Sequence, residues 1–314
     1  ALPILWGSGP SDIWAIGDAG TILHSDGSTW SPQTTGITGT SVRFRSIWGT
    51  SANSVYVSDR FGGIYNWNGT KWMLVDSGAF SGEGLWGSGT GDIWLVGSMT
   101  TRHWNGSAWN SVPAPTNDLT SIWGTGPNTI WTAGNNYIGK WDGSAWSSVS
   151  SITASWASLN GSSANDVWAV GTPGAIAHWD GTTWNSLYQT VGAGIRWNAG
   201  LSTSSTDAWV VGSGGAIARW DGIAQQWKPY QQPSTYSFAD IWGTHTDDLW
   251  AVGTNVVRWN GTAWNVVDTG IVGYIAAVAG NDTNDVWLMT DAGKIYHWTG
   301  PGTSWVRANT APLA

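Results

Sequence analysis

A polar side chain that could do chemistry recurs at one place of a repeated unit. Imidazole, amine and guanidinium groups could serve there as metal ligands, as general bases or as hydrogen-bond donors to a ligand. Successive members are a whole repeat apart, and we expect none to have a carboxylate or a second histidine at ligand spacing, which argues against a metal motif. We interpret them as polar caps on buried tryptophans or as hydrogen bonds to the next repeat; a ring of donors for sugar hydroxyls is the alternative. The residues are His24, Asn66, His103, Lys140, His178, Arg219, Arg258 and His297.

An aspartate opens the second predicted strand in six of the repeats. Aspartate favours turns, because its carboxylate accepts hydrogen bonds from backbone N–H groups two residues on, and we predict that these residues fasten turns rather than act as acids. The chain shows no phosphate-cradling loop, nucleophile elbow or metal-binding histidine pair. Catalysis needs unlike residues that converge, whereas like residues repeat here, so we predict no enzyme, no catalytic residues, no metal site and no cofactor. The aspartates are Asp12, Asp92, Asp166, Asp207, Asp248 and Asp285.

The strands that must position these residues belong to a sequence pattern that recurs eight times along the chain. The segment Asp166–Trp184 reads as two short strands, a turn and the start of a third strand. A period near 40 residues with four strands per unit is typical of a β-propeller. We predict an all-β, eight-bladed β-propeller of four-stranded antiparallel blades, a single domain over residues 1–314 with repeats starting near 2, 44, 82, 119, 156, 197, 238 and 275. The reference residues are Trp14, Tyr56, Trp94, Trp131, Trp168, Trp209, Trp250 and Trp287.

Short motifs predict the details of each blade. An Asp-Gly or Asn-Gly pair, such as Asp180–Gly181, predicts a two-residue type I′ hairpin with positive φ at both residues. Alternation along the first strand places Phe44 and Trp48 on one face and Ile47 on the other. Of the 29 tryptophans, 27 fall at four recurring strand positions. Large flat side chains at such positions are suited to the packing between blades, so we predict that they form the core.

Two tryptophans lie outside this scheme. Trp156 and Trp197 stand where other repeats carry Leu, Phe or Ile, and in the same repeats Asn160 and Leu201 replace the usual first-strand tryptophan. Residues four apart in a strand share a face, so we predict that the ring has moved along the same surface and fills the core there. A modified ligand pocket is the alternative. Repeat eight has Ala279 and lacks both rings, which predicts a hollow.

Composition narrows the class of partner. Only 10% of the residues are charged, the net charge is −8 and no basic run is present, which argues against binding of a nucleic-acid backbone. No apolar stretch is long enough to span a bilayer. The absence of cysteine excludes disulfides and thiolate metal sites. A chain of low charge that is rich in Trp, Gly, Thr and Asn favours a secreted or periplasmic location.

The run Gly63–Trp72, together with Ile295–Trp298, resembles the tectonin repeat, whose consensus carries Gly-x-Ile-Tyr-Arg-Trp-Asn-Gly and a later Trp. The first repeat, Asp12–Trp30, is also similar to photosystem-assembly propellers and their Asp-box relatives. The likeness covers all eight units. Tectonin-type propellers are often lectins of innate defence, so the resemblance implies carbohydrate binding. The chain departs from the tectonin pattern in its Ile/Leu-Trp-Gly-Thr/Ser first strand and in having eight copies.

Two functions therefore compete. The first is a multivalent carbohydrate-binding propeller, in which repeated pockets between blades gain strength by avidity. The alternative is a protein-interaction propeller that presents variable loops on one face to a partner. Pockets of equal composition would favour the first, and a loop cluster with exposed Phe61, Tyr137 or Tyr236 would favour the second. The candidate carbohydrate-binding residues are His24, His103, Lys140, His178, Arg219, Arg258, His297, Trp156 and Trp197.

Overall fold

The computed structural model describes residues 4–36, 42–78, 81–113, 116, 118–187, 194–230 and 236–308. It contains eight four-stranded antiparallel sheets, each with its strands in chain order, which confirms the predicted β-propeller. The chain falls into two compact units, Ala1–Pro113 with Thr269–Ala314, and Ala114–Asp268. That residues 1–314 form one domain stays a prediction.

The first unit holds blades 1, 2, 3 and 8. Blade 1 is β1 (Ile4–Gly9), β2 (Asp12–Ile16), β3 (Ile22–Ser25) and β4 (Trp30–Pro32), and blade 2 is β5 (Phe44–Ser51), β6 (Ser54–Asp59), β7 (Gly63–Trp67) and β8 (Trp72–Ser77). Blade 3 is β9 (Gly82–Gly89), β10 (Asp92–Gly97), β11 (Thr100–Trp104) and β12 (Trp109–Val112), and blade 8 is β29 (Ile275–Asp282), β30 (Asp285–Thr290), β31 (Ile295–Trp298) and β32 (Val306–Arg307). The predicted start of the first repeat near residue 2 lies outside the described residues.

The second unit holds blades 4 to 7. Blade 4 is β13 (Leu119–Gly126), β14 (Thr129–Gly134), β15 (Tyr137–Trp141) and β16 (Trp146–Ser148), and blade 5 is β17 (Ser155–Ser163), β18 (Asp166–Thr172), β19 (Ile176–Trp179) and β20 (Trp184–Ser186). Blade 6 is β21 (Trp197–Ser204), β22 (Asp207–Gly212), β23 (Ile217–Asp221) and β24 (Gln226–Tyr230), with a 3₁₀ turn at Ser213–Gly215. Blade 7 is β25 (Phe238–His245), β26 (Asp248–Gly253), β27 (Val256–Trp259) and β28 (Trp264–Val266).

The loop between the third and fourth strands is longer than predicted. Four residues separate β19 from β20, and of the pair Asp180–Gly181 only the glycine has a positive φ, of 95°. Oδ1 of Asp180 accepts hydrogen bonds from the backbone N–H groups of Thr182 and Thr183, each at 2.9 Å. The predicted type I′ hairpin is therefore wrong, because the carboxylate closes the turn and the aspartate keeps an ordinary backbone. Asp26, Asn68, Asn105, Asp142 and Asn260 close their loops in the same way.

A β-bulge near the start of the first strand decides which side chains face which neighbour. In blade 2 the register shifts just after Phe44, so Phe44 and Ile47 share a face and pack in one cluster with Trp14 of blade 1. Trp48 lies on the other face and packs against the core that includes Ile93 of blade 3. The prediction that Phe44 and Trp48 share a face is wrong, because the bulge inserts one residue into the alternation.

The same bulge changes the account of Trp156 and Trp197. Both side chains are core residues, exposed by only 1%, and each packs in a cluster with the central tryptophan of the preceding blade. Their predicted burial is confirmed, but they lie on the face opposite the missing first-strand ring. In blade 5 a hydrogen bond of 2.9 Å from the backbone N–H of Ser202 to Oδ1 of Asn160 takes the place of that ring. Neither indole face of the pair is open to a ligand.

A first-strand tryptophan lies against a glycine of the next blade. A Cβ atom on Gly49 would stand 2.7 Å from the ring of Trp6, closer than real Cβ contacts allow. This contact explains why glycine follows the first-strand tryptophan in the Trp-Gly motif. Gly87 meets Trp48 and Gly161 meets Trp123 in the same way.

Blade 8 lacks this ring, and the predicted hollow is confirmed. A cavity of about 30 Å³ is lined by Ala279, Trp6, Gly7 and Trp287, among others. Gly7 is the glycine that follows the first-strand tryptophan in blade 1, so no ring of blade 8 covers it.

Filling this hollow should stabilise the chain. We expect Ala279→Trp to raise the free energy of unfolding by about 1–2 kcal/mol, since a ring placed on Gly7 buries apolar area at roughly 25 cal/mol per Å². Thermal unfolding followed by circular dichroism should show a Tm a few degrees higher. Ala279→Leu is the matched control, because blade 6 carries Leu201 at this place, and its gain should be smaller. A lower Tm for both variants would contradict this account of the hollow.

Candidate functional site

An aspartate, a histidine and a tryptophan of blade 5 form one hydrogen-bonded group, which we call the clasp. The side chain of Asp166 is 1% exposed, and its Oδ1 accepts hydrogen bonds from Nε2 of His178 at 2.7 Å and from Nε1 of Trp168 at 3.0 Å. Oδ2 accepts from the hydroxyls of Ser162 at 2.6 Å and of Ser202 in blade 6 at 2.8 Å. The imidazole stacks on the indole with ring centroids 3.9 Å apart. Both carboxylate oxygens are thus satisfied, as a buried charge requires.

The clasp recurs wherever the repeat carries its aspartate. Three further blades have a histidine clasp, in which the ring centroids of His and Trp are 3.7 to 4.0 Å apart: Asp12–Trp14–His24, Asp92–Trp94–His103 and Asp285–Trp287–His297. In two blades arginine replaces histidine, and its Nε donates to the carboxylate while its guanidinium covers the indole: Asp207–Trp209–Arg219 and Asp248–Trp250–Arg258. The predicted polar caps on tryptophans are confirmed in these six blades. In five of them the carboxylate also accepts a hydrogen bond from a side chain four residues earlier, so it does fasten the turn between the first and second strands, through side chains and not through the backbone N–H groups that we expected.

Blades 2 and 4 lack both the aspartate and the histidine or arginine that pairs with it in the clasp. In blade 2 the amide of Asn66 donates to the carbonyl oxygen of Val55 at 3.2 Å. In blade 4 the amine of Lys140 stands 4.7 Å from the ring centroid of Trp131, and Thr129 takes the place of the aspartate. The acid and its partner are therefore present or absent together within a blade, which indicates that they act as a structural pair.

The clasp and the loop carboxylates make stability depend on pH. Burial alone would raise the pKa of Asp166, but hydrogen bonds from His178 and two serines outweigh it, and its pKa lies below the ordinary value. The pKa of Asp285 is lowered in the same way, and Lys228 together with backbone N–H groups lowers that of Asp221 to about 2. A carboxyl group with a depressed pKa stabilises the fold above its unfolded pKa of about 3.9, and this contribution is lost as the pH falls through the lower folded value.

We therefore expect the Tm to be nearly constant between about pH 7 and 5 and to fall steeply between about pH 4 and 2. Scanning calorimetry across this range measures the effect, and repeating the scans at high salt distinguishes it from repulsion between exposed charges. A Tm that stays unchanged down to pH 2 would show that these carboxylates do not support the fold.

The clasp engages one nitrogen of each histidine and Nε of each arginine that the carbohydrate hypothesis assigns to a ligand. Nε2 of the four histidines and Nε of both arginines donate to carboxylates, and the exposed fractions of these six side chains lie between 13% and 32%. Lys140 lies over the rings of Trp131 and Trp179. The seven polar candidates belong to seven different blades, so the structure does not gather them into one site. Sugar binding by these residues stays a prediction.

Two of the candidates line clefts in the second unit. His178 contributes to a cleft of about 540 Å³ with Asn165, Asn185 and Gln225. Three amide side chains in this wall offer both donors and acceptors.

The second cleft, of about 410 Å³, has a different lining. Arg219 lies in its wall with Tyr230, Lys228 and Asp221, and the last two form an ion pair of 2.5 Å. Trp220 lines both clefts, but basic side chains and a tyrosine stand here in place of the amides of the first cleft. The two clefts are not the pockets of equal composition that a repeated sugar site would present.

An exposed apolar cluster lies in blades 2 and 3 of the first unit. Eight large apolar side chains are exposed in the described part of the chain, and four of them lie in these two blades. The other four are isolated Val or Ile side chains in blades 6, 7 and 8 and the segment before blade 8. Tyr137 and Tyr236, which the sequence also offered for such a cluster, are only partly exposed. The four residues, which we call the apolar rim, are Phe61 (50% exposed), Leu74 (56%), Val75 (36%) and Met99 (57%).

A buried aspartate fixes the turn that carries Phe61. Oδ1 of Asp59 accepts hydrogen bonds from the backbone N–H groups of Phe61 at 2.7 Å and of Gly63 at 3.0 Å, and its Oδ2 accepts from the hydroxyl of Tyr65 at 3.1 Å. Burial and the nearby carboxylate raise the pKa of Tyr65 to about 12, so the phenol keeps its proton at neutral pH. The exposed phenyl ring of Phe61 thus stands on a rigid turn.

Two contacts bring the parts of the apolar rim to one corner of the unit. The backbone N–H of Gly78 donates to the carbonyl oxygen of Gly62 at 3.0 Å, which ties the end of β8 to the turn of Phe61. Arg102 in β11 of blade 3 donates to Asp76 in β8 at 2.6 Å. Met99 lies in the turn just before β11, so the ion pair places that turn beside β8. These contacts place the turns that carry Phe61 and Met99 beside the end of β8, whereas Leu74 lies opposite Tyr65, on the face of blade 2 that packs against blade 1.

No known family model matches the sequence, and no curated protein sequence does either. Solved structures do match in fold. The structure of YCF48 bound to D1 peptide is 16% identical, with 96% of this chain and 91% of that one covered and a TM-score of 0.60. The computationally designed Ika8 protein is 14% identical, with coverage of 94% and 95% and a TM-score of 0.76. The C-terminal WD40 domain of Sif2 is 10% identical, with coverage of 90% of both chains and a TM-score of 0.70.

Neither a membrane-spanning helix nor a metal-binding cluster is present among the described residues. Within them, no helix has the length and apolar character to cross a membrane, and no group of three or more His, Asp or Glu side chains is placed to hold a metal ion. At these identities the likenesses establish the fold and no more, and they give no support to the tectonin-like lectin assignment. The chain is similar to propellers of the YCF48 and WD40 types, and its fold is that of an eight-bladed β-propeller.

Proposed function

We propose that this chain is a non-enzymatic protein-interaction propeller that binds a partner protein through the apolar rim of blades 2 and 3. The observation that carries the proposal is the concentration of half of the exposed large apolar side chains at this one corner, among them the Phe, Leu and Met of the set. Apolar side chains that are exposed singly need no explanation, whereas a cluster of them on a rigid support is characteristic of an interaction surface.

Two further observations support the proposal. Six of the eight repeated polar residues, which are the natural candidates for a repeated ligand site, are held in clasps with buried or half-buried aspartates. A structurally similar propeller, YCF48, has been solved bound to D1 peptide. That structure is 16% identical to this chain and shows that the fold can present a peptide site.

The proposal is tested with peptides selected from a random phage-displayed library on the immobilised full-length chain. We expect the selected peptides to bind the double variant Phe61→Ser, Met99→Asn at least about tenfold more weakly, since hot-spot side chains contribute 2 kcal/mol or more. Asparagine suits position 99, where φ is 57°, because Asn136 has a φ of 55° at the corresponding place of blade 4. Val272→Ser is the control, since Val272 is an isolated side chain exposed by 84%.

Selected peptides that bind the double variant as tightly as the wild-type chain would show that the rim is not the binding surface. The control variant should bind like the wild type, because Val272 lies outside the rim. Equal losses in both variants would point to unspecific hydrophobic adsorption and would equally contradict the proposal.

Carbohydrate binding is the second candidate, favoured by the positions of His178 and Arg219 in the walls of the two clefts. A glycan array with the folded chain tests it. Selective binding of one sugar family that is lost on His178→Ala and Arg219→Ala, while circular dichroism shows an intact fold, would favour the lectin over the interaction propeller. The proposed function predicts that no glycan on the array is bound and that the selected peptides bind at the apolar rim.

A further inference from the structure

The outermost strand of blade 2 differs from the other outermost strands. It has six residues, whereas the outer strands of the other blades have two to five. It pairs with β7 on one side and lies at the end of its sheet, so its other edge has no strand partner. Alternate residues of such an edge direct their N–H and C=O groups outward, where they can pair with another extended chain.

The other long outer edge in the described chain carries lysine and proline, whereas β8 carries neither. In β24, of five residues, Lys228 and Pro229 lie on the edge, and both charge and proline discourage strand pairing. The shorter β4 ends in Pro32. The only charged residue of β8, Asp76, is already neutralised by Arg102 at 2.6 Å.

The prolines show which backbone group of β8 is available. Pro32 and Pro229 each stand two residues after the outer-strand tryptophan, opposite a third-strand residue, and Leu74 holds the same place opposite Tyr65. Because proline has no N–H, the ladder at this place does not need that donor. The N–H of Leu74 therefore points away from β7.

Side chains beside this edge fit an extended apolar segment. Leu74 and Val75 are exposed at a break in the β7–β8 register, and Phe61 and Met99 complete the apolar rim at one end of the strand. An added strand would thus meet both open backbone groups and exposed apolar surface, the two contributions to affinity in recognition by β-strand addition.

The charges at the two ends of β8 select the partner. Lys71 precedes the strand and is exposed, and Arg60 is exposed beside Phe61, with its guanidinium 5.4 Å from the ring centroid. Neither makes an ion pair within the described residues. The chain as a whole carries −8, so a second copy would meet like charge, whereas a segment with acidic residues at its ends would find a basic group at each end of the strand.

We infer that β8 accepts a fifth strand, supplied by an extended segment of a partner protein that has alternating apolar side chains and acidic ends. This inference rests on the proposed function, because the strand would lie on the same apolar rim. It goes further in assigning the main chain of β8, and not only the exposed side chains, to the contact.

The probe is a fluorescein-labelled nine-residue peptide of alternating Val and Thr with Glu at both ends, and fluorescence polarisation gives its Kd. We expect Leu74→Pro to weaken binding at least tenfold, because it removes the outward N–H, while Leu74→Ala keeps that donor and weakens binding less. Val266→Pro is the matched control in blade 7, two residues after Trp264 and likewise exposed, and should bind as the wild type does. Peptides N-methylated at alternate residues, or with Lys in place of Glu, should each bind at least tenfold more weakly than the probe.

Absence of binding to the wild-type chain, or equal binding to wild type and Leu74→Pro, would overturn strand addition. The peptides selected by display distinguish this failure from failure of the proposed function. If those peptides depend on Phe61 and Met99 but tolerate Leu74→Pro, the rim binds through side chains and strand addition is wrong. If they tolerate loss of Phe61 and Met99 as well, the proposed function fails with it.

Discussion

Replacing Asp166 by alanine should destabilise the chain by about 3–5 kcal/mol, since removing a buried carboxylate leaves the donors around it unsatisfied. The change removes the acceptor for His178 and Trp168 and for the hydroxyls of Ser162 and Ser202. The midpoint of urea unfolding should fall markedly. Asp180→Ala, which removes a loop carboxylate, should have a far smaller effect.

Blade 4 suggests a compensating change. It carries Thr129 and Lys140 where blade 5 carries Asp166 and His178. The double variant Asp166→Thr, His178→Lys should therefore recover part of the stability that Asp166→Ala loses, because the amine can lie over the ring of Trp168 as Lys140 lies over Trp131. If Asp166→Ala unfolds at the wild-type urea concentration, the clasp is not a structural device.

The second large effect concerns the central ring of a blade interface. Trp209 is fully buried, and its ring centroid lies 5.0 Å from that of Trp259 and 5.4 Å from that of Trp264 in blade 7. We expect Trp209→Ala to lower the free energy of unfolding by about 3–5 kcal/mol, because the neighbouring rings cannot close so large a cavity. Trp209→Tyr is the matched control and should lose much less, since Tyr56 holds this place in blade 2 with 9% exposure.

The urea midpoints of the two variants measure this difference. Equal losses would indicate that the hydroxyl of tyrosine is as harmful as the cavity, and no loss in Trp209→Ala would contradict the role of the central rings in holding adjacent blades together.

The fold could be predicted because its signal is local and repeated. Residues such as Trp168 return every 37 to 42 positions with the same strand pattern around them, and each repeat encodes one blade. The bulge after Phe44 could not be predicted, because no glycine or proline marks it and strict alternation gives the opposite faces. The loop at Asp180 was misassigned for a related reason: Asp-Gly also begins a four-residue loop that the side chain closes.

The clasp could have been predicted from the sequence. Asp166 and His178 are twelve positions apart along the chain, but pairing of the second and third strands brings them together. Trp168 lies opposite His178 in this hairpin, and Asp166 is two residues before Trp168. Pairing positions across strands, rather than along the chain, would have joined them. Of the apolar rim, only Phe61 was named in advance. Leu74 and Met99 depend on exposure, which a repeat pattern does not encode.

The central claim is that a partner binds at the rim of blades 2 and 3, and hydrogen–deuterium exchange on the full chain tests it most directly. With a display-selected peptide bound, the account predicts slower exchange in residues 60–78, which contain the turn of Phe61 and strand β8, and unchanged exchange along the two clefts of the second unit. Protection confined to residues 165–187 or 204–230, where His178 and Arg219 lie, with none at residues 60–78, would contradict it.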